Sequence, residues 1–80
     1  MTLGKAFSIR LETYLKEKQI TLHKFIKDSG IARSTLTNLL RGNSKGPTLR
    51  IIYQTARGLG ISPLVFLDCD LFKNDEIEID

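Results

Sequence analysis

The chain has 80 residues, 41% apolar and 26% charged, the composition of one small soluble globular domain without a second. A single cysteine, Cys69, excludes an intrachain disulfide and a cysteine zinc cluster; a single histidine, His23, excludes multi-histidine metal sites; and no apolar run approaches the roughly 18 residues of a membrane span. The net charge of +3 divides unevenly, with eleven Lys/Arg and three acids in residues 1–60 (a balance of +8) and one Lys and six acids in residues 61–80 (−5), the pattern expected where one face meets a polyanion.

Leu3, Phe7, Leu11, Tyr14 and Leu15 recur at three- and four-residue steps with Lys5, Arg10, Lys16 and Lys18 between them, which predicts an amphipathic first helix over roughly residues 3–18. Thr21 is the expected N-cap of a short second helix, about 22–28, with Leu22, Phe25 and Ile26 at helical spacing and a stop at Ser29-Gly30. A third runs about 32–41, with Leu36, Leu39 and Leu40 apolar and Ile31 just before it. Gly42 closes it, and Gly42 to Pro47 reads as a loop. Thr48 caps a fourth helix whose stripe is Leu49, Ile52, Ala56 and Leu59, ended by Gly60. Ser62-Pro63 opens a fifth, a capping serine followed by proline at the first helical position, with Leu64, Phe66 and Leu67 as its apolar surface and an end near Asp68. Residues 69–80 are read as an acidic tail separate from the 1–68 domain; the alternation Glu76-Ile77-Glu78-Ile79-Asp80 suits a short strand or a frayed end, and periodicity alone does not choose.

The informative feature is the pair of short helices joined through Gly30. A three- to four-residue turn containing Gly sets two helices at a steep angle, so the first lies across the second and leaves one face of the second projecting. That face carries Arg33, Ser34, Thr37, Asn38 and Arg41 and no carboxylate. Arginine is a donor only, whereas Asn, Ser and Thr donate and accept; Arg suits guanine O6/N7 and Asn suits adenine N6/N7. On polarity alone, a solvated surface of a helical bundle explains the face equally well.

Residues from about Leu11 to Leu67 resemble the Cro/CI-type (Xre-like, lambda-repressor-like) helix-turn-helix DNA-binding family. The likeness is carried by Lys18-Gln19-Ile20-Thr21, Gly30-Ile31-Ala32-Arg33-Ser34-Thr35-Leu36, Arg41-Gly42, Pro47-Thr48-Leu49 and Leu59-Gly60-Ile61-Ser62, in order and at family-like spacing. It implies an all-α five-helix bundle with helix 3 in the major groove, commonly as a homodimer on a two-fold-related site. Base-edge readers are then expected to be Arg33, Ser34, Thr37 and Asn38, with Arg41 on a base or a phosphate. Thr21, Asn43, Ser44, Lys45 and Thr48 are expected at phosphates, with Lys24 and Arg50 as weaker candidates. Val65, Phe66, Leu71 and Phe72 are more apolar than a free tail needs and are the expected dimer surface.

This sequence departs from the family pattern at several positions. Leu22 stands where Gln is frequent, Ile26 where a small residue is usual, Ser29 where an apolar one is usual, and Ala32 where a capping Ser is usual. The start of helix 3 is therefore expected to be weak or to move to Ser34. Leu15 and Leu40 replace an Arg and a Glu that commonly pair, a double exchange that preserves balance because losing one partner alone would strand a charge; the two leucines are expected to touch.

An enzyme is not expected. His23 has no acid near it in sequence except Asp28, and Gly42 to Gly46 lacks the spacing of a phosphate-binding loop. His23 reads as a solvent-side helix residue and Cys69 as a semi-buried filler, and Arg33 has Asp28 as an alternative surface partner. No cofactor is expected. The N-terminus lacks the layout of a secretory signal, so the expected location is the bacterial (or phage-infected) cytoplasm, at the nucleoid. Two function classes remain: a sequence-specific double-stranded DNA-binding regulator, expected to be a repressor of a phage or mobile element, and an antitoxin-like module whose main partner is another protein.

Overall fold

Four hydroxyls start four helices. In the computed structural model, which describes residues 1–42, 46–73 and 77–79, the side chains of Thr2, Thr21, Thr48 and Ser62 accept from the backbone N–H groups of Lys5, Lys24, Ile51 and Val65. Each such cap stabilises its helix by about 1 kcal/mol. They open α1 (Leu3–Glu17), α2 (Leu22–Ser29), α4 (Leu49–Leu59) and α5 (Pro63–Leu67); α3 (Arg33–Arg41) starts behind Ala32 with no side-chain cap, and α6 (Asp70–Lys73) is a single turn. The helix 3 start is thus weak but does not move to Ser34. The architecture is an all-α helix-turn-helix bundle, with α6 added to the five helices expected.

Left-handed glycines end α2, α3 and α4, and between α1 and α2 the same backbone region is taken by Gln19, at φ +54°. A non-glycine residue there costs about 1 kcal/mol, which the Ile20 N–H to Leu15 carbonyl bond (2.9 Å) helps to offset.

The core is assembled from Phe7, Leu11 and Leu15 of α1, Phe25 of α2, Ile31 of the turn, Leu36 and Leu39 of α3, Leu59 of α4 and Phe66 of α5. Leu40 packs against this cluster, as do Ile26 and Tyr14. Two expectations about facing are corrected. Leu49 is 68% exposed, whereas Ile51 and Ile52 of the same turn pack against the core and the buried residues of α4 are Thr55, Ala56, Gly58 and Leu59. Leu64 is 80% exposed, and α5 turns Phe66 inward instead.

Phe66 is 0% exposed, with ring centroids 5.5 Å from Phe7 and 6.1 Å from both Tyr14 and Phe72. Arg10 of α1 fixes the same spot. Its Nε donates to the Phe66 carbonyl (2.8 Å) and its Nη2 to the Val65 carbonyl (3.0 Å), while the guanidinium lies 4.6 Å from the Tyr14 ring centre. The guanidinium thereby satisfies the Phe66 carbonyl, which the helix leaves open, and shares the Val65 carbonyl with Asp68 N–H.

The last residues close on the first. Leu3 N–H donates to the Glu78 carbonyl (3.0 Å) and Glu78 N–H to the Met1 carbonyl (2.9 Å), a single parallel bridge between Thr2 and Glu78. Of the two expectations for this end, a strand or a frayed tail, residues 77–79 realise one pairing step of a strand. Between α5 and the bridge, α6 packs on α1, and an exposed Lys73–Asp68 pair (2.8 Å) spans its two ends. The Lys73 ammonium donates to the Asp68 carboxyl and holds it below the usual carboxylate range.

α2 meets α4 with unusual closeness at Gly58, where an added methyl would lie 2.8 Å from both Phe25 Cε1 and Ser29 Cβ. On an open helix, Gly→Ala stabilises by about 1 kcal/mol. Here Gly58→Ala is expected to destabilise by about 1–3 kcal/mol, because the buried neighbours must shift. Urea unfolding reads the sign: a lower midpoint confirms the close contact, and a higher one shows that room exists.

Candidate nucleic-acid interface

The site begins with the turn. Gly30, at φ +76°, donates its N–H to the Ile26 carbonyl (3.0 Å) and ends α2; its left-handed backbone is open to glycine at little cost. Ser29, an apolar position by family habit, is buried, and its Oγ accepts from Ile31 N–H (3.2 Å). The hydroxyl therefore serves the bend from inside, and Ile31 drops into the core beneath it.

α3 is then held from below. Leu36 and Leu39 are buried, and Ser8 Oγ of α1 donates to the Leu40 carbonyl at 2.6 Å, satisfying one of the free acceptors at the end of α3. Sequence reasoning missed this serine; the signal was a small hydroxyl three and seven residues before Leu11 and Leu15, inside the apolar stripe of α1. Lys5 approaches the C-terminal end of α3, where a methyl on Gly42 would lie 3.2 Å from its Cδ.

Above this support the outer face is uncovered. Arg33, Ser34, Thr37, Asn38 and Arg41 are all exposed, as is Thr35. Thr37 Oγ1 donates to the Arg33 carbonyl (2.9 Å), so its hydrogen is used on the helix while its oxygen keeps acceptor capacity. Asp28 pairs with Lys24 (2.9 Å), not with Arg33, and Arg33 has no ion pair among the described residues. The Lys24–Asp28 pair is exposed on both sides and contributes little.

Thr21 and Thr48, the caps of α2 and α4, are exposed, and neither helix has an acid in its first turn. Both helix ends are therefore positively polarised without a neutralising carboxylate, and that of α4 lies beside α3. Asn38 and Thr48 border one open cleft of about 270 Å³ between α3 and the start of α4. Arg50 is exposed at that start. Asn43, Ser44 and Lys45 lie outside the described residues.

At the other end, Val65 is 49% exposed, Leu71 and Phe72 are half-buried, and Phe66 is corrected from the candidate dimer surface because it is enclosed by its own chain. His23 is exposed on α2 and Cys69 is half-buried. Among the described residues no three His, Cys, Asp or Glu side chains cluster in a way that could hold a metal ion, and no helix is long and apolar enough to cross a membrane.

The arrangement consists of a pinned helix with an exposed face of donors and mixed donor–acceptors, free of acids, beside the polar N-terminus of α4. Neither a curated protein nor a solved structure matches the chain. The family model of the Cro/C1-type HTH DNA-binding domain matches residues 10–70, which include every helix-turn-helix element described above. The chain belongs to the Cro/C1-type helix-turn-helix DNA-binding family.

Proposed function

We propose that this DNA-binding regulator reads a specific double-stranded sequence through α3 lying in the major groove, and that it acts as a repressor from a phage or mobile element. One observation carries the reading: the five side chains Arg33, Ser34, Thr37, Asn38 and Arg41 stand exposed on one helix with no carboxylate among them. Arg33 would present its fork to guanine O6/N7 and Asn38 its amide to adenine N6/N7. Thr21 and Thr48, with the N–H groups of their helices, would hold phosphates on either side, joined by Arg41, Arg50, Asn43, Ser44 and Lys45. Repression needs nothing further, since a domain seated in the groove over a promoter excludes the polymerase from it.

One short helix supplies limited discrimination, about 1–3 kcal/mol for a good Arg–guanine fork. A homodimer doubles the contacts across half-sites about 34 Å apart. Val65 with the neighbouring Leu64, both exposed, and the outer parts of Leu71 and Phe72 are the surface offered for that pairing.

The test is selection of bound duplexes from random DNA by the wild-type chain and by Arg33→Ala and Asn38→Ala. Each variant is expected to lose preference at one base position per half-site, a change of about 1–3 kcal/mol, or roughly fivefold to 150-fold. Thr48→Ala is expected to weaken all sequences alike. If both α3 variants select the wild-type motif with wild-type strength, α3 is not the reading element.

A further inference from the structure

One edge of α3 carries a side chain beyond the five exposed readers. Thr35 is exposed, about 60° around the helix from Asn38 at about 100° per residue, and both line the cleft of about 270 Å³ between α3 and the start of α4. Pro47, Thr48 and Ile51 line its far side, and Leu39, 4% exposed, reaches it from the core. No lining side chain carries a charge, and Pro47 has no N–H to donate. The Thr48 hydroxyl already accepts from Ile51 N–H (3.2 Å). Nothing in the lining therefore draws a phosphate inward from the N-terminus of α4, and Leu39, Pro47 and Ile51 suit a small apolar group instead.

In the major groove the base edges present one apolar group, the C5-methyl of thymine, and a threonine methyl is among its ordinary partners. We propose that Thr35 is a further specificity-determining residue, whose methyl, with the cleft behind it, receives the C5-methyl of a thymine at the base pair next to the one that Asn38 reads. The proposal rests on the reading that α3 enters the groove, and extends it from hydrogen-bonded to apolar recognition. The spacing suits neighbouring base pairs, since three residues advance a helix by about 4.5 Å, against about 3.4 Å between successive base pairs. Asn38 belongs both to the reading face and to the rim of the cleft, so a duplex that offers a base to its amide brings the next base edge to Thr35. Thr37, the other exposed threonine of α3, differs: it does not line the cleft, and its hydroxyl donates to the Arg33 carbonyl.

The experiment measures binding of the full chain to its selected duplex and to duplexes in which deoxyuridine replaces one thymine at a time, which removes the methyl and keeps the base pair. It compares wild type, Thr35→Ser, which removes the side-chain methyl and keeps the hydroxyl, and Thr35→Val, which keeps a methyl and removes the hydroxyl. Thermal unfolding of each chain verifies that it is folded. The selected motif is expected to carry thymine next to the position at which Asn38→Ala relaxes preference. Replacing that thymine in one half-site is expected to weaken wild-type binding about fourfold, the worth of one buried methyl. Thr35→Ser is expected to bind the thymine duplex about fourfold more weakly per half-site and to bind the thymine and uracil duplexes alike. Thr35→Val is expected to keep the wild-type preference for thymine.

A Thr35→Ser chain that keeps the wild-type preference for thymine over uracil would take the methyl contact away from Thr35, whatever its overall affinity. Loss of that preference in Thr35→Val would give the position to the hydroxyl and overturn the proposal as well. If Arg33→Ala and Asn38→Ala relax their own positions but no thymine flanks that of Asn38, or wild type is indifferent to uracil there, the methyl contact alone fails and the reading by α3 stands. If those two variants leave the motif unchanged, the reading itself fails and the contact with it.

Discussion

Phe66→Ala is expected to destabilise the protein by about 3–5 kcal/mol, the largest effect of any single truncation in the chain. The side chain is fully enclosed, three aromatic rings lie within 6.1 Å of it centre to centre, and the Arg10 guanidinium is fixed to its carbonyl. Removing the ring leaves a cavity that α1, α5 and α6 share, and Arg10 prevents α5 from settling inward to fill it. A domain of this size has a total stability on the order of 4–12 kcal/mol, so the variant sits close to unfolding. At about 4–8 °C per kcal/mol, the expected fall in Tm is more than about 12 °C. The same residue was a sequence-based candidate for the dimer surface, and the measurement separates the two roles. A core residue lowers Tm by the same amount at every protein concentration. An interface residue loses its effect once dilution has separated the copies. Val65→Ser, at an exposed site on the same short helix, is the matched comparison, with little change expected in the dilute chain. A Phe66→Ala effect that disappears on dilution would return the ring to the interface.

α5 shows why facing was less legible than extent. Its start is written locally, because Ser62 accepts from Val65 N–H and Pro63 needs no donor at the first position. Yet Leu64, Val65, Phe66 and Leu67 are all apolar, and one turn and a half gives periodicity nothing to separate. The choice is made by partners 50 and more residues away, the rings of Phe7 and Tyr14 and the guanidinium of Arg10. α6 fails to announce itself for the same reason, being four residues long. The Thr2–Glu78 bridge unites opposite ends of the chain, a distance that local pattern does not report. Gly58 reads in sequence as a poor helix former and nothing more; its meaning lies in Phe25 and Ser29 on another helix.

The candidate interface was more legible, because its chemistry sits on one helix. Period 3.6 sorts Leu36 and Leu39 from Arg33, Thr37, Asn38 and Arg41 without tertiary information, and the structure leaves those polar side chains uncovered. The support beneath them was not readable. Ser29 stands where the family usually has an apolar residue, and its hydroxyl accepts from Ile31 N–H; Ser8 lies within the α1 stripe, and its hydroxyl donates to the Leu40 carbonyl. In both cases a buried polar atom is explained by a backbone group whose position depends on the fold.

Leu15 and Leu40 give the sharpest test of how α1 carries α3. Leu15 belongs to the core and Leu40 packs against the same cluster from α3. At these positions the family commonly pairs an Arg with a Glu. If the two side chains are neighbours, Leu15→Arg and Leu40→Glu are each expected to destabilise by about 3–5 kcal/mol, since each leaves a charge against apolar surface without a partner. The double variant is expected to recover about 1–3 kcal/mol of the combined loss, a coupling that only residues in contact show. It is not expected to exceed wild type, because an apolar pair of similar volume is often as stable as the ion pair that it replaces. Leu15→Glu supplies the opposite sign: combined with Leu40→Glu it is expected to be worse than additive, two like charges meeting in one apolar site. Chemical unfolding of the two cycles decides the matter. Strictly additive losses in both would separate Leu15 from Leu40, and an undiminished Tm in Leu15→Glu alone would remove Leu15 from the core. In the folded fraction of every such variant the DNA motif is expected to stay the same, because both leucines lie beneath α3 and none of its exposed side chains has been changed.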